Sequence, residues 1–219
     1  MMRLAMISFT TALTLTACSG GGTTPPTVST TLKSGASLDG SLSTGNVGAD
    51  VNSSQTSASI GSVGGGGFSY SVYAFYSFNL TPLRPSSGSL QVSKAILRLY
   101  IKKNASTDTS CASNTLELRH VFYGGEFSFS TVSGSGASGL KDGLDITGAN
   151  TRNDCFYTDK VYTFDVTTQV KEDLAVAARD GLSQFMLKNT ASVGKTVDVE
   201  FAEAGRDGSP ALELTYTKP

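Results

Sequence analysis

The sequence predicts an all-β protein: a single β-sandwich with one short helix, preceded by a removable N-terminal segment and a flexible tether. Three observations predict it. Apolar and polar residues alternate in run after run, which marks strands with one buried face. Glycine, serine and asparagine cluster between the runs, where a β-protein needs turns. A length of 219 residues, less a removable leader, fits one large β-sandwich or barrel better than two ordinary domains. The 39% hydrophobic content suffices for a core, and 17 Lys+Arg against 18 Asp+Glu leave a formal net charge of −1. Without a basic excess to displace counterions, nucleic acid is not expected as a partner.

The chain opens on Met1-Met2-Arg3, continues apolar or small from Leu4 to Thr16, and closes the segment with Leu15-Thr16-Ala17-Cys18. The apolar stretch is about 13 residues, short of the roughly 20 that a membrane span needs. It reads as residues 1–17 of a secretory signal ending in a lipobox. It resembles bacterial lipoprotein signals, which implies cleavage before Cys18 and lipidation of that residue. Acyl chains at about 0.8 kcal/mol per buried CH₂ then hold the chain on a membrane. Ser19 stands where an aspartate often marks inner-membrane retention, so the expected location is the outer membrane or cell surface of a bacterial envelope.

With Cys18 used for lipid, Cys111 and Cys155 remain as an even pair in an exported chain, and a disulfide is the expectation. Closing that loop of about 45 residues would contribute up to about 4 kcal/mol. No second cysteine or histidine stands at metal-ligand spacing from either one.

Residues 18–32 are small, polar and proline-containing, which reads as the lipidated cysteine and its tether; the sandwich is expected over 33–219. In its clearest run Phe68, Tyr70, Val72, Ala74, Tyr76, Phe78 and Leu80 share one parity. Ala95, Leu97, Leu99 and Ile101 form the next face, followed by Leu116, Leu118, His120 and Phe122, then by Tyr162, Phe164 and Val166. Phe185 with Leu187, Val197 with Val199 and Phe201, and Leu212 with Leu214 and Tyr216 complete the set. Thr167 to Arg179 alone reads as a helix, capped at Thr167 or Thr168, with Val170, Leu174 and Ala177 or Ala178 on one stripe. The segments 61–67 and 131–139 are glycine- and serine-rich and read as unburied loops.

Four stretches carry a family resemblance: Ala74 to Leu80 (AFYSFNL), Val92 to Tyr100 (VSKAILRLY), Phe164 to Thr167 (FDVT) with Val170, and Val199 to Ala204 (VEFAEA) leading to Ser209 to Tyr216 (SPALELTY). In this order and spacing, over roughly residues 33 to 217, the chain resembles bacterial extracellular β-sandwiches of the DNRLRE type, related to a carbohydrate-binding group. The tryptophan that commonly follows the FDVT stretch is missing, and 104–160 looks like a divergent insertion. The resemblance implies a jelly roll with a binding or structural role.

Chemistry-bearing motifs are sparse. His120 is the single histidine, and its parity with Leu118 points it toward the core, so an imidazole-rich redox centre is excluded. Gly194-Lys195-Thr196 lacks the glycine and helix of a phosphate-binding loop. Asp154 and Asp159, Asp198 and Glu200, and Glu203 and Asp207 are neighbouring acids, but sequence places no pair across a cleft. No cofactor is predicted except that a structural calcium stays open, with Asp39, Asp50 and Asp207 as candidate ligands. On the outward parity, Tyr73 and Phe75 flank one strand and Arg98 and Tyr100 the next, with Glu117, Arg119 and Tyr123 continuing if those strands are neighbours. Tyr73, Arg98, Tyr100 and Arg119 are the expected ligand-binding set, because tyrosine rings and guanidinium groups stack on sugars and anchor protein partners. The expected function is a non-catalytic, lipid-anchored envelope protein with a structural or adhesive role toward an envelope or surface-layer component. A polysaccharide-binding module is the alternative, and a metal-dependent redox protein or other enzyme a more distant one.

Overall fold

A computed structural model describes residues 25–35, 37–45, 48–52, 57–63, 70–84, 90–106, 115–133, 144–153, 160–190, 196–202 and 208–217. The strands are β1 (Thr27–Lys33), β2 (Gly40–Gly45), β3 (Gly48–Asn52), β4 (Ser57–Val63), β5 (Tyr70–Asn79), β6 (Gln91–Asn104), β7 (Thr115–Val121), β8 (Asp145–Asn153), β9 (Val161–Asp165), β10 (Leu182–Thr190), β11 (Thr196–Ala202) and β12 (Ala211–Thr217). Two helices, α1 (Phe129–Val132) and α2 (Thr167–Ala175), and two 3-10 turns, Thr81–Leu83 and Ala177–Arg179, complete the described elements. The chain is thus predominantly β with some helix, a single domain consistent with a β-sandwich.

The first sheet runs β1-β12-β6-β9 and the second β11-β4-β5-β10-β7-β8, all pairs antiparallel. β6 belongs to both: Gln91 to Arg98 pair with β12, while Ile101, Lys103 and Asn104 pair with β11. Ala74 of β5 faces Ser41 on one side and Leu187 on the other, so β2 lies across β5 from β10 and carries β3 outside it. Between the sheets lies the main core, which includes Tyr76, Phe78, Leu97, Leu99, Phe164, Phe185, Phe201 and Leu212. These are the parities read from the alternating runs. Within those runs Phe68 lies outside the described residues, Tyr70 is exposed at the edge of β5, and Phe122 is half-buried.

A second core lies on the other face of β5 and β10. Leu42, Phe75, Val121, Tyr123, Phe127, Val132, Leu144 and Met186 are all buried there. Phe75 packs against Phe127 with rings tilted by 46° and centroids 5.2 Å apart, and meets Tyr123 edge-on at 5.6 Å between ring centroids. Gly40 admits this packing, because a Cβ at that position would come within 2.2 Å of the Phe127 ring and 2.6 Å of the Asn52 carbonyl oxygen. β5 is therefore buried on both faces from Ala74 to Phe78.

Several expectations are corrected. β1 starts at Thr27, inside the stretch read as tether, and buries Leu32. The segment from 131, read as an unburied loop, instead continues α1 through the fully buried Val132. Helix α2 stops at Ala175; Val176 is extended, and Ala177 and Ala178 are exposed rather than on a buried stripe. No disulfide bond is found among the described residues, which overturns the reading of a disulfide-braced domain. The cross-connection assigned to it is made by hydrogen bonds: Thr115 pairs with Asn153 at the start of the β7–β8 ladder, and Thr190 pairs with Thr115 on the other side. Cys18, Cys111 and Cys155 lie outside the described residues.

Candidate functional site

The outer face of the β1-β12-β6-β9 sheet carries an open cleft of about 270 Å³. Strand alternation places its walls: with Leu32, Leu212, Leu97 and Leu99 turned inward, their neighbours Thr31, Lys33, Ala211, Glu213, Arg98 and Tyr100 turn outward. Register then aligns them. Lys33, Ala211, Arg98 and Thr163 form one row across the four strands, and Tyr100 pairs with Val161 in a neighbouring row. Arg98 Nη1 donates to Glu213 Oε1 at 3.0 Å, with both side chains nearly half exposed (45% and 44%). Gly208 closes one end in a left-handed conformation (φ 75°), and a Cβ there would stand 2.7 Å from the Tyr100 ring. Only glycine satisfies both the backbone and the ring.

The four expected ligand residues divide between two places. Arg98 and Tyr100 line the cleft. Tyr73 instead packs, half-buried, against the second core. Arg119 lies on β7, where its Nε donates to Glu117, and Lys188 Nζ stands 3.1 Å from the other oxygen of that carboxylate. Burial pushes the Glu117 carboxyl up, but the hydrogen bonds and charges of Arg119 and Lys188 outweigh it and hold the group below its ordinary value. β5 and β6 are not neighbours, and so these residues form no single face. Phe75 and Tyr123, read as outward, are buried.

Of the calcium candidates, Asp39 is fully buried with Oδ1 accepting the Ser77 N–H at 2.9 Å, Asp50 is exposed on β3, and Asp207 lies outside the described residues. Among the described residues no group of three or more His, Cys, Asp or Glu is placed to hold a metal.

Two buried polar clusters escaped the sequence reading. His120 points inward as its parity requires, with Nε2 2.9 Å from both carboxylate oxygens of Asp173. Ser183 Oγ donates to Asp173 Oδ2 at 2.6 Å, Glu172 reaches within 3.7 Å of His120 Nδ1, and Arg179 Nε stands 3.9 Å from Asp173 Oδ1. The carboxylate sits between hydroxyl and imidazole, whereas activating a serine requires the imidazole beside the hydroxyl. In this order the cluster ties α2 to β7 and β10. The missed signal was helical spacing: Asp173 follows the buried Val170 by three residues, on the same face. In the second cluster, Gln184 Oε1 accepts the Tyr123 and Gly124 N–H groups while Nε2 donates to Ser77 Oγ and the Gly124 carbonyl. Tyr123 Oη donates to the Leu38 carbonyl at 2.7 Å. Burial, with the Asp39 carboxylate adding to it, raises the Tyr123 phenol well above its usual range, against the Ser77 hydrogen bond.

Compared with known protein families and with curated proteins, the chain matches none.

Proposed function

We propose that this chain is a non-catalytic, lipid-anchored protein of the bacterial cell envelope, a jelly-roll domain resembling the DNRLRE type that holds an envelope or surface-layer component on its outer sheet face. The observation that carries this reading is the face of β1-β12-β6-β9, open among the described residues, where Arg98 and Tyr100 line one cleft with Lys33 and Glu213. The opposite sheet supports it by contrast, since its outward aromatic Phe75 is committed to the second core. Polysaccharide is the component favoured by the mixture of a tyrosine ring, charged groups and the Thr31 hydroxyl in that cleft. Anchoring rests on the lipobox ending at Cys18; no helix among the described residues is long and apolar enough to cross a membrane.

The test compares the full chain with Cys18→Ser and Tyr100→Ser. Cys18→Ser should leave the membrane fraction, and its retention after a high-salt wash would count against the anchor. Tyr100→Ser should lose the envelope component that co-purifies from native membranes. An unchanged co-purification profile with an intact fold would move the binding surface off this sheet.

A further inference from the structure

We propose that the row Lys33–Ala211–Arg98 is a subsite for an anionic group, so that the polymer held on this face is an acidic polysaccharide. The inference rests on the polysaccharide form of the reading above. Neighbouring strands lie about 4.8 Å apart. Lys33 on β1 and Arg98 on β6 are therefore about 10 Å apart at the backbone, with the central strand contributing only the methyl group of Ala211 between them. Ala211 is outward yet buried (7% exposed), as a small residue flanked by two long side chains must be. The result is a slot with a cation on each side and an alanine floor.

Charge decides what fits it. Arg98 spends Nη1 on Glu213 and keeps the rest of its donor fork. Lys33 has no ion-pair partner among the described residues. Among the described lining residues, two cations stand against one carboxylate, an excess of positive charge. A neutral sugar laid over the slot would cover the ammonium without matching it, and desolvating an unmatched charge opposes binding. A carboxylate or phosphodiester on the sugar chain matches Lys33 and the open edge of Arg98 together. Glu213 opposes the same anion, so removing its charge should tighten the complex. That sign separates an anion subsite from a neutral sugar site, where Glu213 would serve as a hydroxyl acceptor.

Titration calorimetry of the full chain with oligogalacturonate, a phosphodiester-bearing phosphomannan and dextran tests this at low and high salt. The expected result is binding of an acidic polymer and not of dextran, weakening as salt rises. Which acidic polymer binds identifies the anion as carboxylate or phosphodiester. Lys33→Gln should weaken binding by about three- to fivefold, and Glu213→Gln should strengthen it by a similar factor, both with a melting temperature within about 4 °C of wild type. Dextran binding as tightly as either acidic polymer, with loss on Tyr100→Ser, overturns the anion subsite and leaves the binding face standing. So does an envelope fraction whose retention needs Tyr100 but is unmoved by Lys33→Gln and Glu213→Gln. Failure of all three polymers to bind, with envelope retention indifferent to Tyr100→Ser, overturns subsite and face together.

Discussion

The two sheets turn opposite characters outward. On β1-β12-β6-β9 the residues alternating away from the core include threonines and charged groups around an open cleft with Tyr100 and Val161, and the Arg98–Glu213 contact is 3.0 Å long between side chains nearly half in solvent. On β5 and β10 the same parity is taken by Phe75 and Met186, which pack with Leu42 of the neighbouring β2 and with the segment that follows β7. Buried polar contacts gather around β10 too: His120 and Asp173 approach to 2.9 Å with side chains 1% and 2% exposed. Similar N···O distances thus describe two different interactions. In solvent a pair gains little beyond what water already supplied. In the interior, breaking one leaves a buried polar group without its hydrogen-bond partner. The outward groups of one sheet stay largely in solvent, whereas those of the other are enclosed in a second core.

The comparison breaks most directly at Phe75. Phe75→Ala removes a ring packed on Tyr123 and Phe127 and should cost about 3–5 kcal/mol, read as a lower urea midpoint at unchanged slope. Arg98→Gln, on the open face, should cost within about 1 kcal/mol. Equal costs for the two would mean that the second core is not a core.

A smaller effect separates the buried His120–Asp173 contact from the exposed Arg98–Glu213 pair. Asp173→Ala strips His120 and Ser183 of their shared acceptor and should destabilise by roughly 3 kcal/mol, whereas Glu213→Gln should lie between about 0.2 and 1 kcal/mol and diminish further in salt. Urea denaturation at two ionic strengths measures both. If Asp173→Ala cost no more than Glu213→Gln, the cluster under α2 would be solvated and the contrast between the sheets would fail.

The main core was legible because period-2 alternation is a local signal: Leu97, Leu99, Phe185, Leu187, Leu212 and Leu214 could be assigned inward from their neighbours alone. The second core was not, because it depends on which strands cover β5, and that is settled by pairing partners far away in sequence. A trace was present. Ala74 to Phe78 is nearly continuous in apolar residues, the pattern of a strand buried on both faces, yet alternation was read through it and Phe75 and Tyr73 were turned to solvent. The candidate site was half legible for the same reason. Arg98 and Tyr100 share a strand and a parity, so sequence placed them together, while Lys33 and Glu213 join them only through the β1–β12–β6 register. Asp173 was legible in principle from its helical spacing to Val170, but nothing local shows that His120, 53 positions away, would meet it.

The smallest expected effect concerns Tyr123, whose phenol is buried in the covered face and held above its ordinary value by that burial and by Asp39. A raised phenol pKa means that above about pH 10 the unfolded chain sheds this proton while the folded chain keeps it. The unfolded state then binds fewer protons, so stability falls with rising pH. The contribution is fully present below pH 10 and is lost as pH climbs toward the folded value. Tyr70 and Tyr216 are shifted in the same direction, and so the wild-type slope alone does not isolate Tyr123. Tyr123→Phe does: it should cost about 1 kcal/mol at neutral pH, the net worth of the hydrogen bond to the Leu38 carbonyl, and should lose stability less steeply than wild type above pH 10. Melting temperatures from pH 8 to 11 for the two proteins provide the check. Parallel curves would mean that the hydroxyl reaches water, and the face over β5 would then be as open as the one over β6.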